Sequence, residues 1–292
     1  FEDGVTRVIQ CDDDEKVTDA AFRQKINLPM DCRDGVCGTC KCFAEKGTYE
    51  LEFYMDESMS DEEAEAGYVL TCQMIPESDC VLRVPTSSAA CKTAPEAVEG
   101  EVLAVETLSE TSFSLKLKMA KPMGFLPGQY VNVTVPGTGQ HRSYSFSSAP
   151  GSDEATFLIR NLPGGVMSSY LGERAKPGDQ VTLTGPMGAF YLRPIERNQL
   201  WLAGGTGLAP FLSMLEQLAE QGSDQPIKLY YAVTRAADLV ELDRVNALAE
   251  KIGNVTVVTV LAAEDEAHDR KGFVTDHLSA EDLCGGDCDV YL

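Results

Sequence analysis

Ten residues, DCRDGVCGTC at 31–40, place Cys32, Cys37 and Cys40 within nine positions and interleave Gly35 and Gly38. Few features constrain a fold more tightly. Three thiols that close can converge only if the backbone turns sharply between them, and glycine reaches torsions that a residue with a Cβ resists. The same turns expose backbone N–H groups that can bond to the sulfurs. The loop therefore predicts a rigid ligand cradle rather than a flexible connection, and it asks for a fourth partner.

Cys72, in VLTCQM, supplies it. C-x4-C-x2-C followed by a distant cysteine is the spacing of a [2Fe-2S] cluster, so Cys32, Cys37, Cys40 and Cys72 are the candidate metal ligands. Structural zinc favours two C-x2-C pairs, and Cys72 has no cysteine near it in sequence. Ten cysteines in 292 residues fall well short of a disulfide scaffold, and their clustering in the first third points to metal ligation in a reducing, cytoplasmic setting. Cys42, Cys11, Cys80 and Cys91 read as small buried hydrophobes, and Cys284 with Cys288 has no second pair or histidine beside it.

The length suits two or three domains. No basic, apolar leader opens the chain. The longest nearly apolar stretch, Leu200 to Leu215, contains three glycines and a proline and is too short to span a bilayer. A net charge of -22 with no Lys/Arg-rich run argues against nucleic acid. Residues 1–95 carry nine Lys/Arg against twenty Asp/Glu, about twice the acidity per residue of the remainder. Besides a solvated surface, that predicts a docking face for a basic partner.

Three blocks follow. TSSAACKTAPEAVEG, at 86–100, reads as a linker, which divides the chain into 1–92, 97–195 and 196–292. FSLKLKM, YVNVTVP, ATFLIR and DQVTLTGP alternate with period two and predict an antiparallel β-barrel or sandwich, interrupted by one helix near 164–171. From Gln199, strands and helical segments alternate as LWLAG, APFLSMLEQLAEQG, IKLYYAV, a helix near 239–251, and NVTVVTVL. This is βαβ grammar, predicting a doubly wound parallel sheet with helices on both faces. CDVYL reads as a further buried strand. A doubly wound domain seldom ends on a strand, which predicts a sequence truncated after Leu292.

The barrel block contains RSYSFSS at 142–148 and NLPGGVMSSYL at 161–171. Arg142 can fork onto a pyrophosphate, and the N–H groups opening the helix at Gly164, Gly165, Val166, Met167, Ser168 and Ser169 can bind the same anion. Tyr144 could pack along a flavin ring, with Ser145 near its reactive edge. In the last block LWLAGGTGLAP runs from strand through Gly204, Gly205, Thr206 and Gly207 into a helix with Pro210 in its first turn, a junction that cradles a dinucleotide. AVTRAADL then offers both Arg235, which would favour a 2′-phosphate, and Asp238, which would favour a free ribose diol. The residues leave that choice open.

Together these motifs resemble the ferredoxin-NADP reductase superfamily, in the subgroup with an N-terminal plant-type ferredoxin, and within it the reductases of bacterial ring-hydroxylating dioxygenases of benzoate type. The resemblance runs over essentially the whole chain. RxY[ST] matches Arg142, Tyr144 and Ser145; GGTGxxP matches Gly204, Gly205, Thr206, Gly207 and Pro210. It implies a β-grasp-like ferredoxin domain, FAD in the barrel and NADH on the glycine loop, with electrons leaving through the cluster to a terminal oxygenase. Tyr144, Ser145 and Thr206 are the candidate catalytic residues. The family's CGPxxM motif would start where the chain stops, and Cys288 does not match its cysteine. The reductase of a phenol or methane-type monooxygenase would share all three blocks, and a pure electron carrier would need neither Arg142 nor the glycine loop.

Overall fold

The computed structural model describes residues 1–91, 95–263 and 267–292. By internal contacts the chain divides into a first unit, Phe1–Glu96 with Gly185–Ala189, and a second, Ala97–Thr184 with Phe190–Leu292.

The first unit runs α1 (Val17–Arg23), β1 (Lys41–Lys46), β2 (Tyr49–Leu51), α2 (Asp61–Glu65), β3 (Tyr68–Leu70), β4 (Met74–Pro76) and β5 (Val81–Arg83). β1 lies between β3 and β5, antiparallel to both, while β2 pairs with β4. α2 begins with a capping box in which Ser60 and Glu63 satisfy each other's backbone N–H groups. Val17 and Ala21 of α1 pack on Cys42, Val69 and Met74, and a separate cluster joins Cys40, Met59, Leu70 and Cys72. That second cluster fixes two of the predicted ligands, Cys40 just before β1 and Cys72 in the turn after β3.

The linker expected at 86–100 is much shorter. Asp3 accepts from both Ser88 N–H (2.9 Å) and Ser88 Oγ (2.7 Å), and Asn27 N–H donates to Cys91 O (3.0 Å). Residues 86–91 are thereby bound to the first unit, and β6 already begins at Glu96. Small polar residues read as a linker because their turn chemistry serves a packed loop equally well. Residues 92–94 of that stretch, and with them the end of the 1–92 block, lie outside the described residues.

In the second unit β6 (Glu96–Ser109), β7 (Ser112–Met119), β8 (Tyr130–Val135), β9 (Gln140–Ser145), β10 (Glu154–Arg160) and β11 (Gln180–Met187) form one sheet in the order β10-β7-β6-β11-β8-β9. Its β6–β7, β7–β10 and β8–β9 pairings are antiparallel. Period-two alternation is the cause. Val131, Val133 and Val135 of β8 face inward with Leu115 and Leu117 of β7, and the two edge strands approach at a bridge from Phe146 to Phe157. α3 (Val166–Glu173) packs Met167, Tyr170 and Leu171 onto the same core.

A parallel sheet completes this unit: β12 (Asn198–Gly204), α4 (Ala209–Gln221), β13 (Ile227–Val233), α5 (Leu242–Ile252), β14 (Val255–Leu261) and β15 (Cys288–Tyr291), in the order β14-β13-β12-β15. Phe211, Leu212, Met214, Leu215 and Leu218 form the apolar stripe of α4 against Trp201, Leu229 and Tyr231. Each such side chain, fully buried, contributes roughly 1.5–3 kcal/mol. α5 enters the same cluster through Val245, so both helices cover one face. The expectation of helices on both faces is corrected: Leu200, Tyr230, Val258 and Val260 on the opposite face are covered by Val274 and Leu278, with no α-helix among the described residues between β14 and β15. β15 is an edge strand with Val290 44% exposed, rather than the buried strand expected.

The two sheets of the second unit are joined by a polar network. Arg244 donates to Ser147 O (2.7 Å) and to Glu216 (2.5 Å), Glu216 accepts from Ala149 N–H (2.6 Å), and Ser213 Oγ donates to Ser148 O (2.7 Å). Phe190 packs edge-on against Phe211 at 5.7 Å. Among the described residues no helix is long and apolar enough to cross a membrane.

Candidate functional site

Two separate sites emerge, one in each unit. In the first, Gly35 and Gly38 have φ of +74° and +71°, and a Cβ on Gly35 would lie 2.2 Å from Phe53 O. The loop thus closes as the sequence required, because only glycine fits its tightest turn. Among the described residues no three His, Cys, Asp or Glu side chains gather tightly enough for a single metal ion. The four sulfurs instead approach as two pairs, Cys32 with Cys37 and Cys40 with Cys72. Two irons with two thiolates each need such an arrangement, so these residues fit a binuclear cluster.

Backbone and side-chain donors surround the sulfurs. Asp34 N–H donates to Cys32 Sγ (3.4 Å) and Gln73 Nε2 to Cys72 Sγ (3.6 Å). The bond from Cys40, against the effect of burial, carries the Cys72 thiol down to about 6, helped by Gln73 and the Gly35 N–H. Burial alone would raise Cys32, but bonds from Cys37 and the N–H groups of Asp34, Val36 and Cys37 bring it below the ordinary thiol range. The bond to Cys72 and burial push Cys40 up. Donors of this kind stabilise thiolate. By contrast, burial raises Cys42 to about 12 and Cys91 to about 11, as inert core thiols require. Cys11 and Cys80 are only half-buried, short of the full burial expected.

In the second unit a cavity of about 430 Å³ is lined by Arg142, Tyr144 and Ser145, by Gly165, Val166, Met167 and Ser168, and by Thr206, Gly207 and Pro210. Three stretches far apart in sequence meet there. Tyr144 leans on the barrel core, and burial holds its phenol neutral by raising it to about 12. The Arg142 guanidinium donates to His141 O (2.7 Å) and Gln140 Oε1 (3.0 Å), two bonds it would exchange for charge-assisted ones on a phosphate. Gly164 has a φ of +73°, and a Cβ on Gly165 would lie 3.0 Å from Leu162 O. α3 has no side-chain N-cap, which leaves its first N–H groups for an anion. These residues fit a flavin phosphate.

Within that segment the side chains of Met167 and Ser168 are engaged elsewhere, leaving the backbone N–H groups expected to meet the anion. Met167 is in the core, and Ser168 Oγ accepts from Leu162 N–H (2.8 Å) and donates to Arg160 O (3.4 Å). Anion binding by these two residues would pass through their backbone. Ser169 N–H bonds to Gly165 O (2.8 Å) and closes the first helical turn.

A second cavity, about 320 Å³, is lined by Gly204, Gly205, Thr206, Thr234, Asp238 and Phe273, with Thr111 and Ser112 from the flavin sheet. Gly205 alone of the loop glycines has a positive φ, +52°, while a Cβ on Gly204 or Gly207 would meet nothing within 4 Å. Open space over the loop is what a ligand backbone approaching closely needs. The loop is one 3-10 turn, Gly205–Leu208, running straight into α4 with Pro210 in its first turn. β12 is also the strand from which the sheet departs in both directions, where open α/β sheets bind their ligands.

Arg160 and Thr206 line both cavities. Sequence reasoning missed Arg160, Thr111, Ser112 and Phe273. The only signal for Arg160 was a cation at the end of a strand, two residues before LPGG; the others are single residues in turns whose neighbours are set by tertiary packing.

Comparison with known proteins assigns three regions. Residues 1–77 match the model of a 2Fe-2S iron-sulfur cluster binding domain, 100–191 that of an oxidoreductase FAD-binding domain, and 201–292 that of an oxidoreductase NAD-binding domain. The chain is 54% identical to the toluate 1,2-dioxygenase electron transfer component of Pseudomonas putida, over 100% of this chain and 88% of that protein. It is 44% identical to the 2-halobenzoate 1,2-dioxygenase electron transfer component of Burkholderia cepacia, over 100% and 87%. Among solved structures, the Amycolatopsis cytochrome P450 reductase matches with a TM-score of 0.73 and 30% identity, over 97% of this chain and 87% of that one.

Proposed function

Given that the chain belongs to the family of dioxygenase electron transfer components, NAD- and FAD-dependent oxidoreductases with a 2Fe-2S domain, we propose that it carries electrons from NADH to the terminal oxygenase of a benzoate-type aromatic dioxygenase. One observation carries the site assignment: Arg142–Ser145, the Gly165 helix start and the Thr206–Pro210 loop line one cavity, which shares Arg160 and Thr206 with a second one containing Asp238. Bound FAD and cluster supply the change of currency, since a flavin takes electrons in a pair and gives them up singly while an iron-sulfur centre accepts them one at a time.

The chain's own tasks follow from its geometry. Arg142 and the N–H groups opening α3 hold the flavin phosphates, Tyr144 supplies a neutral, half-buried surface for the ring, and Ser145 offers a hydroxyl beside it. Gly204, Gly205, Thr206 and Gly207 let the dinucleotide backbone approach, Pro210 presets the helix that receives its phosphates, and Asp238 meets a ribose diol, which favours NADH over NADPH. Cys32, Cys37, Cys40 and Cys72 ligate the cluster, with Gly35 and Gln73 donating to Cys72. We assign Tyr144, Ser145 and Thr206 the positions nearest the reacting rings.

On this reading the domains are 1–92, 97–195 and 196–292: a β-grasp ferredoxin, a flavin barrel closing at Phe146 and Phe157, and a nicotinamide domain built on a four-stranded parallel sheet. The ten free cysteines fit a reducing cytoplasm. Reconstitution with candidate oxygenases tests the proposal. NADH-coupled hydroxylation of a benzoate-type substrate is expected, and delivery only to a monooxygenase would replace the proposed partner.

A further inference from the structure

The turn between β6 and β7 belongs to the flavin-binding sheet, yet its hydroxyls end on a carboxylate of the nicotinamide-binding sheet. Thr111 Oγ1 donates to Asp238 Oδ1, and Ser109 Oγ donates to the same oxygen at 3.3 Å. With that proton committed, Ser109 Oγ accepts from Thr111 N–H (3.1 Å) and from Ser112 Oγ (2.9 Å). The three hydroxyls of Ser109, Thr111 and Ser112 are thus directed along one chain of bonds toward Asp238. Both carboxylate bonds fall on Oδ1, so Oδ2 takes no part in the network. Thr111, Ser112 and Asp238 line the same cavity as Gly204, Gly205 and Thr206.

We propose that Thr111 and Ser109 are positioning residues for dinucleotide choice: they hold the half-buried Asp238 carboxylate so that its second oxygen meets a ribose diol and opposes a 2′-phosphate. The inference rests on the proposed reading of this cavity as a nicotinamide dinucleotide site. Asp238 lies on a short 3-10 turn, Ala236–Asp238, that gives its side chain little support of its own. Two donors on one oxygen fix the carboxylate plane, and a fixed carboxylate bonds a diol better than one that must first be ordered. Arg160 stands in the same cavity beside Gly205, so the phosphate-bearing stretch of a ligand meets a cation while the ribose end meets an anion. A second phosphate at the ribose would lie against like charge. The preference is therefore built by two domains, and the flavin sheet contributes hydroxyls that no dinucleotide motif in the sequence includes.

The test uses the holoprotein and the variants Thr111→Val, Thr111→Ser and Asp238→Asn. Calorimetry measures binding of ADP-ribose and of its 2′-phosphate, and ferricyanide reduction gives KM and kcat for NADH and NADPH. For Thr111→Val, the dissociation constant of ADP-ribose and the KM for NADH are expected to rise roughly five- to tenfold, the scale of one ordinary hydrogen bond, because the lost bond orients the carboxylate rather than holding the ligand itself. The preference over the 2′-phosphate should shrink with them, the loss should fall on KM rather than kcat, and Thr111→Ser should restore both. Wild-type affinity and preference in Thr111→Val would overturn the inference. So would a Thr111→Ser variant as impaired as the valine one, because the hydroxyl would then not be the cause. Asp238→Asn separates the two levels: an intact preference there removes the ribose reading itself, whereas a collapsed preference with Thr111→Val unaffected removes only the positioning role.

Discussion

Replacing Gly35 with alanine would ask the cluster loop to hold a methyl group where the carbonyl of Phe53 already lies. The added Cβ would be 2.2 Å from Phe53 O and 3.1 Å from both Phe53 C and Gln73 Cγ, at a φ of +74°. The left-handed torsion costs an L-residue about 1–2 kcal/mol. Relief of the clash requires the carbonyl to move by on the order of 1 Å to reach ordinary contact. That motion pulls on bonds anchored at the same point: Met55 N–H to Gly35 O (3.1 Å), Ser58 Oγ to Gly35 O (2.7 Å) and Gln73 Nε2 to Arg33 O (2.9 Å). Losing two of them adds about 1–3 kcal/mol, for a total on the order of 2–5 kcal/mol. Gln73 also bonds Cys72, so the strain falls on the geometry joining the loop to its fourth thiol. The assay is iron and acid-labile sulfide per flavin after anaerobic reconstitution, with flavin as internal standard. Gly35→Ala should lose most of its cluster and keep its flavin. Gly4→Ala, at a φ of +72° with nothing within 4 Å of the new Cβ, should keep both. Full iron and sulfide in Gly35→Ala would refute the argument that this backbone contact closes the cradle.

Arg142→Ala should weaken flavin binding on the order of 10- to 100-fold, the loss expected when charge-assisted bonds to a phosphate are removed. Unchanged flavin content after gel filtration would take Arg142 out of the site. If the acidic first third docks a basic oxygenase, raising salt should slow electron delivery while NADH-to-ferricyanide turnover stays nearly constant, measured in parallel stopped-flow traces. Delivery insensitive to salt would point to an apolar docking face.

Much of this architecture could be read in the chain because its periods are strong. YVNVTV alternates with no interruption and becomes β8, and APFLSMLEQLAEQ carries its apolar stripe from Pro210 to the stop at Gly222. The cysteine loop was legible because thiols at that spacing admit few structures. What escaped were facts of tertiary contact. Thr111 and Asp238 are 127 positions apart, and a threonine in a turn gives no sign of what lies across a domain boundary. Arg160 matters because the end of β10 faces the Gly205 turn, which no local pattern encodes. βαβ grammar predicted helices on both faces, but it does not fix what covers the second face. There a short 3-10 turn, Val274–His277, and Leu278 cover the sheet. TSSAAC at 86–91 was misread because a packed loop and a linker use the same turn residues.

On the proposed reading, one chain joins NADH oxidation to one-electron output through FAD and a cluster on Cys32, Cys37, Cys40 and Cys72. Anaerobic addition of NADH to the holoprotein, followed by simultaneous optical and electron paramagnetic resonance spectra, tests it most directly. Flavin and [2Fe-2S] absorbance should both be present, and NADH alone should generate the reduced-cluster signal. In Cys72→Ser, that signal should be lost while flavin reduction persists. An iron-free flavin spectrum, or a cluster that stays oxidised while the flavin is fully reduced, would contradict it.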